Sequence, residues 1–418
     1  MTRGTKLAVL TLSALVLSYI AVGHALGRTT EDRTYRSLGV FSEVLQRVQQ
    51  EYVDDPNMQV VTLGALHGLL ESLDPQSSYL SPREYDDFKK RSEKPARGDV
   101  GAILSKRFGY LVVLATLPDS PAQKAGLRSG DLLESLGGFA TREMSIRQAQ
   151  LLMAGEPGTA VKMSEVRRGR TEPEEVDVVR AVISAPKLLA DRLEGDIAYI
   201  RVPTFSAGRA AEIREKLAEL SRQGARKLVL DLRDCASGDA SEAIQTAQLF
   251  LSAGAITSLR GQSMATQDSM ADPAKQVWTG PVSVLISNST AGPAEIVAAA
   301  LAENKRAETV GERTFGAVSE QKIMPLEDGG ALVLTVALYY SPKGKSISSE
   351  GVAPGEEVHN AAEEIIGTDE EAPARKSAGA SASHDDLVLK RAIEILKGEQ
   401  KKAGRLIQGA SYITVIDS

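Results

Sequence analysis

The sequence is short of the residues that build most metal, redox and nucleic-acid sites. Its single cysteine, Cys235, has no partner for an intramolecular disulfide. The four histidines are scattered, and no His-x-x-x-His, Cys-x-x-Cys, Walker-type or dinucleotide motif occurs, so we predict no metal and no cofactor. Acidic residues outnumber basic ones by 55 to 49, and aromatic residues make up only 4% of the chain. This balance argues against binding to nucleic acid.

The remaining composition is that of a globular protein preceded by an export signal. With 42% hydrophobic and 25% charged residues, the 418-residue chain is long enough for two or three domains. Arg3 and Lys6 precede the uncharged apolar stretch Leu7–Val22, and a weak small-residue cleavage site follows. The stretch is shorter than the roughly 20 residues of a typical spanning helix. Residues 1–27 are therefore predicted to be either a signal peptide or an inner-membrane anchor, with the rest periplasmic or otherwise extracytoplasmic.

Residues 28–97 are predicted to form an N-terminal helical region. Apolar residues recur at helical spacing in two stretches, and Asp74-Pro75 ends the second. Three sequence words resemble the N-terminal region of the carboxyl-terminal processing peptidases, also called tail-specific proteases: Glu51-Tyr52-Val53-Asp54, Gly64-Ala65-Leu66-His67-Gly68-Leu69 and Ser72-Leu73-Asp74-Pro75-Gln76-Ser77-Ser78-Tyr79-Leu80. Gln76 stands where that family usually has histidine, a position to which we assign no catalytic role.

Residues 98–183 resemble a PDZ domain. Short alternating strands surround the helical stretch Ile146–Leu152, and Gly-rich turns separate them. The resemblance implies a groove in which backbone N–H groups capture a peptide's C-terminal carboxylate while a strand edge pairs with the peptide. The residues predicted to line this groove are Val100, Gly101, Ala102 and Ile103. A domain that only packs against the rest of the chain remains the alternative.

Residues 184–360 alternate strands with helices, which predicts an α/β core with mainly buried strands. The order resembles the protease core of the same family, whose fold is similar to the crotonase and Clp-protease folds. The words that carry this resemblance are Tyr199-Ile200-Arg201, Asp231-Leu232-Arg233, Gly311-Glu312-Arg313-Thr314-Phe315-Gly316 and Ser341-Pro342-Lys343-Gly344-Lys345-Ser346-Ile347. The fold class predicted for the whole chain is thus multidomain α/β.

The resemblance also shows which catalytic side chains are missing. The family's nucleophile is a serine three residues before the glutamate that opens a helix, and Gly292 stands at that position, before Glu295. Its general base is a lysine that follows Phe-Gly and loses its proton by desolvation, and Ala317 stands there. The family's spacing of about 25 residues is kept between the two positions. Only Gln321 remains of the family's Ser-Lys-Gln group.

The positions that would stabilise an oxyanion are altered as well. Family enzymes donate the N–H of the residue after the nucleophile, and here Pro293 has none. The second donor comes from a loop after Asp-Leu-Arg that usually reads Asn-Pro-Gly-Gly. In this chain the loop reads Cys235-Ala236-Ser237-Gly238, which retains only one glycine. The resemblance therefore implies no intact catalytic residue, with Pro293, Ser237 and Gly238 at the oxyanion positions.

A relocated nucleophile is the alternative that the sequence leaves open. Hydroxyl groups and amines near the lost pair are carried by Ser287, Ser289, Thr290, Ser319, Lys305 and Lys322. A working pair needs a hydroxyl within hydrogen-bond reach of a base. Cys235 is a further thiol, but no histidine is well placed in the sequence to activate it.

The end of the sequence predicts a linker and a docking element. Residues 361–384 are rich in Glu, Ala and Ser and are predicted to be a flexible linker. Residues 385–418 are predicted to hold a helix capped by Asp386 and a strand at Tyr412-Ile413-Thr414-Val415-Ile416.

Two functions remain in competition. The first is an exported pseudoprotease that binds protein or peptide C-termini, or that assembles as a homo-oligomer or with an active relative, with a possible membrane tether. The second is an active serine-type endopeptidase whose nucleophile and base have moved.

Overall fold

The computed structural model describes residues 37–93, 98–107, 109–142, 144–167, 170–359 and 386–398, together with a few isolated positions before residue 20. The chain forms two compact units, residues 1–66 and 67–418. Among the described residues, no helix is both long enough and apolar enough to cross a membrane. Most of the predicted export segment lies outside them, as do the predicted linker 361–384 and the predicted strand Tyr412–Ile416. Those predictions, and the domain bounds given above, stay predictions.

The first unit contains helix α1, residues 37–51, and most of helix α2, Met58–Glu71. Both helices lie where the apolar periodicity predicts them. The side chain of Asn57 accepts the backbone N–H groups of Gln59 and Val60, so it satisfies donors that the first turn of a helix leaves free.

The second unit begins with a turn that the side chain of Asp74 organises. Its carboxylate accepts the N–H groups of Gln76 and Ser77 and the hydroxyl of the distant Thr335, at 2.8, 2.8 and 3.1 Å. Strand β1, Ser78–Leu80, and helix α3, Pro82–Glu93, follow. Strand β1 was not predicted, since residues 28–97 were expected to be helical. The bond from Thr335 to Asp74 connects the turn before this strand to β16.

An antiparallel β-domain comes next. Its elements are β2 Ala102–Arg107, β3 Tyr110–Thr116, α4 Pro121–Lys124, β4 Leu132–Leu136, β5 Phe139–Ala140, α5 Ile146–Met153, β6 Ala160–Val166 and β7 Glu174–Val179. The strand order is β2-β3-β4-β6-β7, and β5 pairs with β4, so β2 and β7 are the two edges. A reciprocal cap between Ser145 and Gln148 starts α5. This domain has its own apolar core, which includes Leu111, Leu133 and Met163.

The α/β core occupies the rest of the unit. Its elements are β8 Leu189–Arg192, β9 Ile197–Arg201, α6 Arg209–Arg222, β10 Lys227–Asp231, α7 Ala240–Gln248, β11 Ala255–Gly261, β12 Met264–Met270, β13 Val282–Ile286, α8 Pro293–Glu303, β14 Glu308–Gly311, β15 Ser319–Pro325, β16 Ala331–Tyr340, α9 Ile347–Glu350, β17 Glu356–Glu357 and α10 Leu387–Lys397. The predicted combination of a β-domain and an α/β core is confirmed.

Two sheets form this core. The first has the order β17-β14-β13-β10-β9-β8; its neighbours are parallel except for β8 and β9. The second is antiparallel, with the order β1-β16-β11-β12, and β15 also pairs with β16. Strand β13 is buried along its whole length, as expected for a central parallel strand. The chain's only tryptophan, Trp278, is 4% exposed and packs in the core cluster of this domain.

Helix α10 is fixed to the parallel sheet by buried charges. Arg233 donates to Asp231 at 2.9 and 2.6 Å and to Asp386 at 2.9 Å, and Tyr199 also donates to Asp231. Asp386 accepts the N–H of Leu389, which confirms the predicted cap of this helix. Burial opposes the ionisation of Asp231, yet Arg233 holds the pKa of Asp231 below its usual value. The charged pair therefore connects the end of β10 to the start of α10.

We expect Asp386→Asn to loosen α10. The substitution removes one of the two carboxylates that pair with the largely buried Arg233, and it leaves the helix with a neutral, weaker cap. Backbone amides of residues 389–396 should exchange with deuterium at least ~10-fold faster than in the parent chain. Asp268→Asn, at an exposed position of β12, is the matched control and should leave that exchange unchanged. Equal protection of α10 in the two variants would contradict this role of Asp386.

Candidate active site

The candidate site lies where strand β13 gives way to helix α8. Thr290 closes the intervening turn, since its hydroxyl donates to Leu232 O at 2.9 Å and accepts the N–H of Ser287 at 3.0 Å. Gly292 then caps the helix with φ 60° and ψ −129°, a conformation that side-chain-bearing residues rarely adopt. Pro293 occupies the first helical position, where a missing N–H costs the helix nothing.

The structure brings Gly292 and Ala317 together. A Cβ atom added to Gly292 would lie 3.8 Å from Ala236 O and 3.9 Å from Ala317 O. These are ordinary contact distances, so the site has room for a small side chain. A side chain at the position predicted for the nucleophile would therefore contact the backbone of the position predicted for the base and the backbone of the loop of residues 235–238.

The carboxylate of Glu295 connects the two halves of this site. One oxygen accepts the hydroxyl of Thr314 at 2.5 Å and the N–H of Gly316 at 2.6 Å. The other accepts the N–H of Ala317 at 2.8 Å and the N–H of Gly292 at 3.0 Å. Sequence reasoning places Glu295 in a motif but assigns it no role. A glutamate at the third position of a helix is the signal for the bond to Gly292, whereas its long-range partners carry no local signal.

Glu295 is fully buried, and this sets its protonation. Burial raises the pKa of Glu295 to about 7, against the donors Thr314, Ala317, Gly316 and Gly292, which lower it. This carboxyl therefore changes charge near neutral pH, directly beside the candidate site.

Of the positions predicted for the oxyanion site, Ser237 and Gly238 lie in a tightly packed loop, and Pro293 has no N–H. A Cβ atom on Gly238, at φ 122°, would lie 2.4 Å from the backbone of Phe205, so only glycine fits there. Ser237 O accepts the N–H of Phe205 at 2.9 Å, and the hydroxyl of Ser237 lies 3.1 Å from that of Thr204. Pro293 offers no N–H. The loop is thus held firmly by the backbone, with Gly238 retained and the donor at 293 absent.

Gln321 lies on β15, and its amide donates to the hydroxyl of Ser319 at 2.6 Å. The hydroxyl of Ser319 is therefore bonded to a neutral amide, which cannot act as its general base. Lys322, the next residue along, is exposed, and Lys305 is exposed beyond the far end of α8. The eleven residues of α8 span about 16 Å, which separates Lys305 from Gly292.

The other candidate nucleophiles have partners that are not bases. The hydroxyl of Ser289 is hydrogen-bonded to that of Ser129 and lies 3.2 Å from Asn288 Oδ1. Cys235 is buried, and burial raises the pKa of its thiol far above the usual value. Among the described residues, no hydrogen bond joins a hydroxyl or thiol of this region to a lysine or histidine. Nor do the described residues include a group of three or more side chains able to hold a metal ion.

The residues predicted to line the peptide groove lie at the β2 edge of the β-domain. Residues Val100 and Gly101 lead into the edge strand β2, which Ala102 and Ile103 begin. Gly101 has φ 77°, and a Cβ there would lie 2.5 Å from Ser120 Cβ, so the loop rests against the start of α4. At the far end of β2, Lys106 pairs with Glu71 at 2.8 Å.

The β-domain touches both segments that carry the candidate site. Arg107, at the end of β2, lies over the ring of Phe315 at 4.7 Å, two residues before Ala317. Ser129, in the turn before β4, bonds to Ser289, three residues before Gly292. Sequence reasoning missed both contacts, because they join residues that lie far apart in the chain.

We expect Glu295→Gln to destabilise the core by about 2–4 kcal/mol, because an amide offers one acceptor oxygen to donors that now share two. Since the pKa of Glu295 is raised in the folded state, its proton stabilises the fold below pH ~4.5, and this contribution is lost as the pH rises through about 7. The stability difference between parent and variant should therefore shrink from pH 5 to pH 8.

Urea denaturation followed by circular dichroism at several pH values measures that difference. The matched control is Glu320→Gln, at an exposed position of β15, which should show a small and pH-independent effect. A difference for Glu295→Gln that stays constant or grows with pH would contradict the raised pKa.

Comparison with known proteins identifies the same two domains. A model of peptidase family S41 matches residues 196–358, and a PDZ domain model matches residues 112–167. Both ranges fall inside the predicted core and the predicted PDZ domain. The carboxy-terminal-processing protease of Bartonella bacilliformis is 34% identical over 348 residues, which cover 81% of this chain and 79% of that protein.

Two further matches agree. The carboxy-terminal processing protease CtpA of Bacillus subtilis is 27% identical over 343 residues, covering 82% of this chain and 73% of that protein. The solved structure of a photosystem II D1 C-terminal processing protease matches with a TM-score of 0.64 and 26% identity, over 76% of this chain and 92% of that one. The core and the PDZ domain expected from the sequence are thereby confirmed, and the chain belongs to the carboxyl-terminal processing protease family.

Proposed function

We propose that this protein is a catalytically inactive, exported member of its family that binds C-terminal tails of proteins through its PDZ domain. The observation that carries the proposal is the pair of neighbouring positions, Gly292 and Ala317. One has no side chain and the other only a methyl group, so neither can attack a peptide bond or accept a proton.

The loss extends to the stabilisation of the transition state. Pro293 removes one of the two N–H donors of the family's oxyanion site, and such a donor is typically worth about 3–4 kcal/mol. Ser289 and Ser319 are bonded to neutral groups, and Lys322 is exposed, so the structure offers no substitute pair among the described residues. The described residues therefore lack the hydroxyl–base pair that an active endopeptidase with relocated residues would need.

The parts that would bind a peptide are retained. Strand β2 is an edge strand beside helix α5, and the loop of Val100 and Gly101 precedes it. An edge strand next to a helix is the arrangement in which PDZ domains add an extended peptide by backbone hydrogen bonds. Through Arg107 and Ser129, this domain contacts both segments of the candidate site. A bound tail would thus lie on a domain that contacts the candidate site.

Export and assembly complete the proposal. The positive residues Arg3 and Lys6 ahead of the apolar stretch 7–22 support export, with that stretch either removed or kept as a tether to the inner membrane. A protein that binds tails without cleaving them would act by holding or presenting them, as a homo-oligomer or together with an active relative.

We expect the parent chain to leave an unfolded protein and a peptide with an apolar C-terminus uncleaved. The variant Gly292→Ser, Pro293→Ala, Ala317→Lys should cleave both, because position 292 has room for a side chain that lies next to residue 317. Holding serine at φ 60° will cost about 1–3 kcal/mol, so the variant should also be less stable.

The matched control is Gly292→Ala, Pro293→Ala, Ala317→Lys, which carries the same strain and the same lysine but no hydroxyl. It should show no cleavage. Cleavage by the parent chain would overturn the proposal of inactivity, and cleavage by the control would show that the nucleophile is not at 292.

Tail binding is tested with a fluorescent peptide that ends in apolar residues. We expect Ile103→Asp to weaken binding at least ~10-fold, because a negative charge at the start of β2 would repel the peptide carboxylate. Amidation of the peptide C-terminus should weaken binding to the parent chain by a similar factor.

Phe139→Asp is the control, since Phe139 is 61% exposed on the hairpin between β4 and β5 of the same domain. Fluorescence anisotropy should show unchanged affinity for this variant. Equal affinities of the parent chain for the free and amidated peptides would contradict recognition of the tail carboxylate.

A further inference from the structure

Helix α5 and strand β2 run in opposite directions along the peptide groove. Just after α5 ends, the N–H of Gly155 donates to Gly98 O at 2.9 Å, close to the loop that leads into β2. Ser145, which caps the start of α5, lines one cavity together with Lys106, near the end of β2. The loop end of the groove would hold the peptide carboxylate, so a bound tail would run from Lys106 toward Gly101, antiparallel to β2.

The cavity at the far end of the groove is completed by residues from outside the PDZ domain. Its volume is about 10 Å³, enough for one group the size of a water molecule, and it is partly open. All of its lining residues belong to the second compact unit. Besides Lys106 and Ser145, they are His67, Glu71, Pro75, Ser77 and Ser78. The end of α2 and strand β1 therefore supply part of the wall at this end of the groove.

Contacts between α5 and α3 hold the walls of the cavity together. Gln148 of α5 donates to the carboxylate of Glu84 of α3 at 2.7 Å. Its neighbour Arg147 lies over the ring of Phe88 of α3 at 5.5 Å. Because α3 follows β1 after a single residue, these contacts fix β1 relative to the helix that borders the groove.

The lining of the cavity is polar, and its ion pair is neutral overall. The side chain of Lys106 is 5% exposed and lies 2.8 Å from the carboxylate of Glu71, whose side chain is 42% exposed. A second carboxylate here would meet Glu71 and a second ammonium would meet Lys106, so a charged tail residue gains little. Ser78 Oγ and His67 Nε2 are buried atoms. A hydroxyl group both donates and accepts, and it is about the size of one water molecule, so it suits this lining.

The strand register indicates which tail residue reaches the cavity. With the last tail residue opposite Ala102, the first residue of β2, the fifth residue from the end lies opposite Lys106, about 13 Å along the strand. The side chains of directly opposed residues lie on the same face of an antiparallel pair. The side chain of that fifth residue therefore points to the same side as Lys106, which lines the cavity.

We propose that this cavity is a subsite of the peptide groove that selects serine or threonine at the fifth position from the C-terminus of a bound tail. The subsite rests on the tail binding proposed above and adds a residue preference to it. Ser78, His67 and Lys106 surround the hydroxyl of the bound tail. Since Ser78 and His67 lie outside the PDZ domain, the preference belongs to the PDZ domain and the helical region together.

Fluorescence anisotropy with matched peptides tests the subsite in the full-length chain. Two labelled peptides end in the same four apolar residues and differ only in serine or alanine at the fifth position. We expect the parent chain to bind the serine peptide at least ~5-fold more tightly, because its hydroxyl gains hydrogen bonds in the cavity. A threonine peptide should likewise bind more tightly than the valine peptide of the same shape.

A substitution in the wall of the cavity assigns the preference to it. Ser78→Ala should reduce the preference for the serine peptide to less than ~2-fold. The matched control is Ser72→Ala, at an exposed serine that does not line the cavity, which should keep the preference of the parent chain. The two affinities are compared within each chain, so a general loss of affinity does not change their ratio. A full preference retained in Ser78→Ala would overturn the assignment to this cavity.

The remaining outcomes separate this subsite from tail binding itself. Equal affinities for the serine and alanine peptides would overturn the subsite and leave tail binding intact. An aspartate peptide that binds more tightly than the serine peptide would also overturn it, since the charge of Lys106 would then set the preference. Failure of every peptide to bind a chain that is folded by circular dichroism would overturn tail binding, and the subsite with it.

Discussion

The geometry of the candidate site depends on one buried carboxylate. Glu295 accepts bonds from the helix cap at Gly292 and from three groups of the segment 314–317. These two segments belong to different parts of the sequence, and each would otherwise bury unpaired N–H groups. Thr314 extends the connection, since its hydroxyl also accepts the N–H of Val352 at 2.7 Å. The carboxylate of Glu295 therefore holds the two segments in place around positions 292 and 317.

The bonds to Glu295 explain how the backbone of the site is held in place with glycine at 292 and alanine at 317. Residues 292 and 317 carry few side-chain atoms, but both bond to Glu295 through their backbone N–H groups, which any residue other than proline supplies. Gly238 is retained because the backbone of Phe205 leaves no room for a Cβ. The constraint on these positions is packing and hydrogen bonding, and it persists whether or not a peptide bond is cut.

The sequence predicted the elements whose signals are local. Strand β13 has a continuous apolar run, α5 has an amphipathic pattern with a capping residue, and Asp386 stands directly before an apolar periodic stretch. Strand β1 escaped prediction because it is three residues long and is defined by pairing with β16, about 250 residues away. The spacing known from the family located positions 292 and 317 in the sequence, but their contact depends on long-range packing that no local pattern describes.

The contacts between domains were beyond reach of the sequence for the same reason. Ser129 and Ser289 are 160 residues apart, and each serine by itself has the appearance of an ordinary turn residue. Arg107 over Phe315 likewise has no signature in either local pattern. Long-range polar contacts of this kind form only when two folded domains pack against each other. The periodicity of a single segment carries no information about that packing.

The position of the single tryptophan has a practical consequence. Trp278 is packed in the cluster that also contains Phe250 and Leu301 of the α/β core, and the PDZ domain has none of its own. Indole fluorescence will therefore report loss of core packing alone. A transition seen by a backbone probe such as circular dichroism, but not by this fluorophore, must come from elsewhere in the chain, so the separate unfolding of the PDZ domain can be distinguished without labelling.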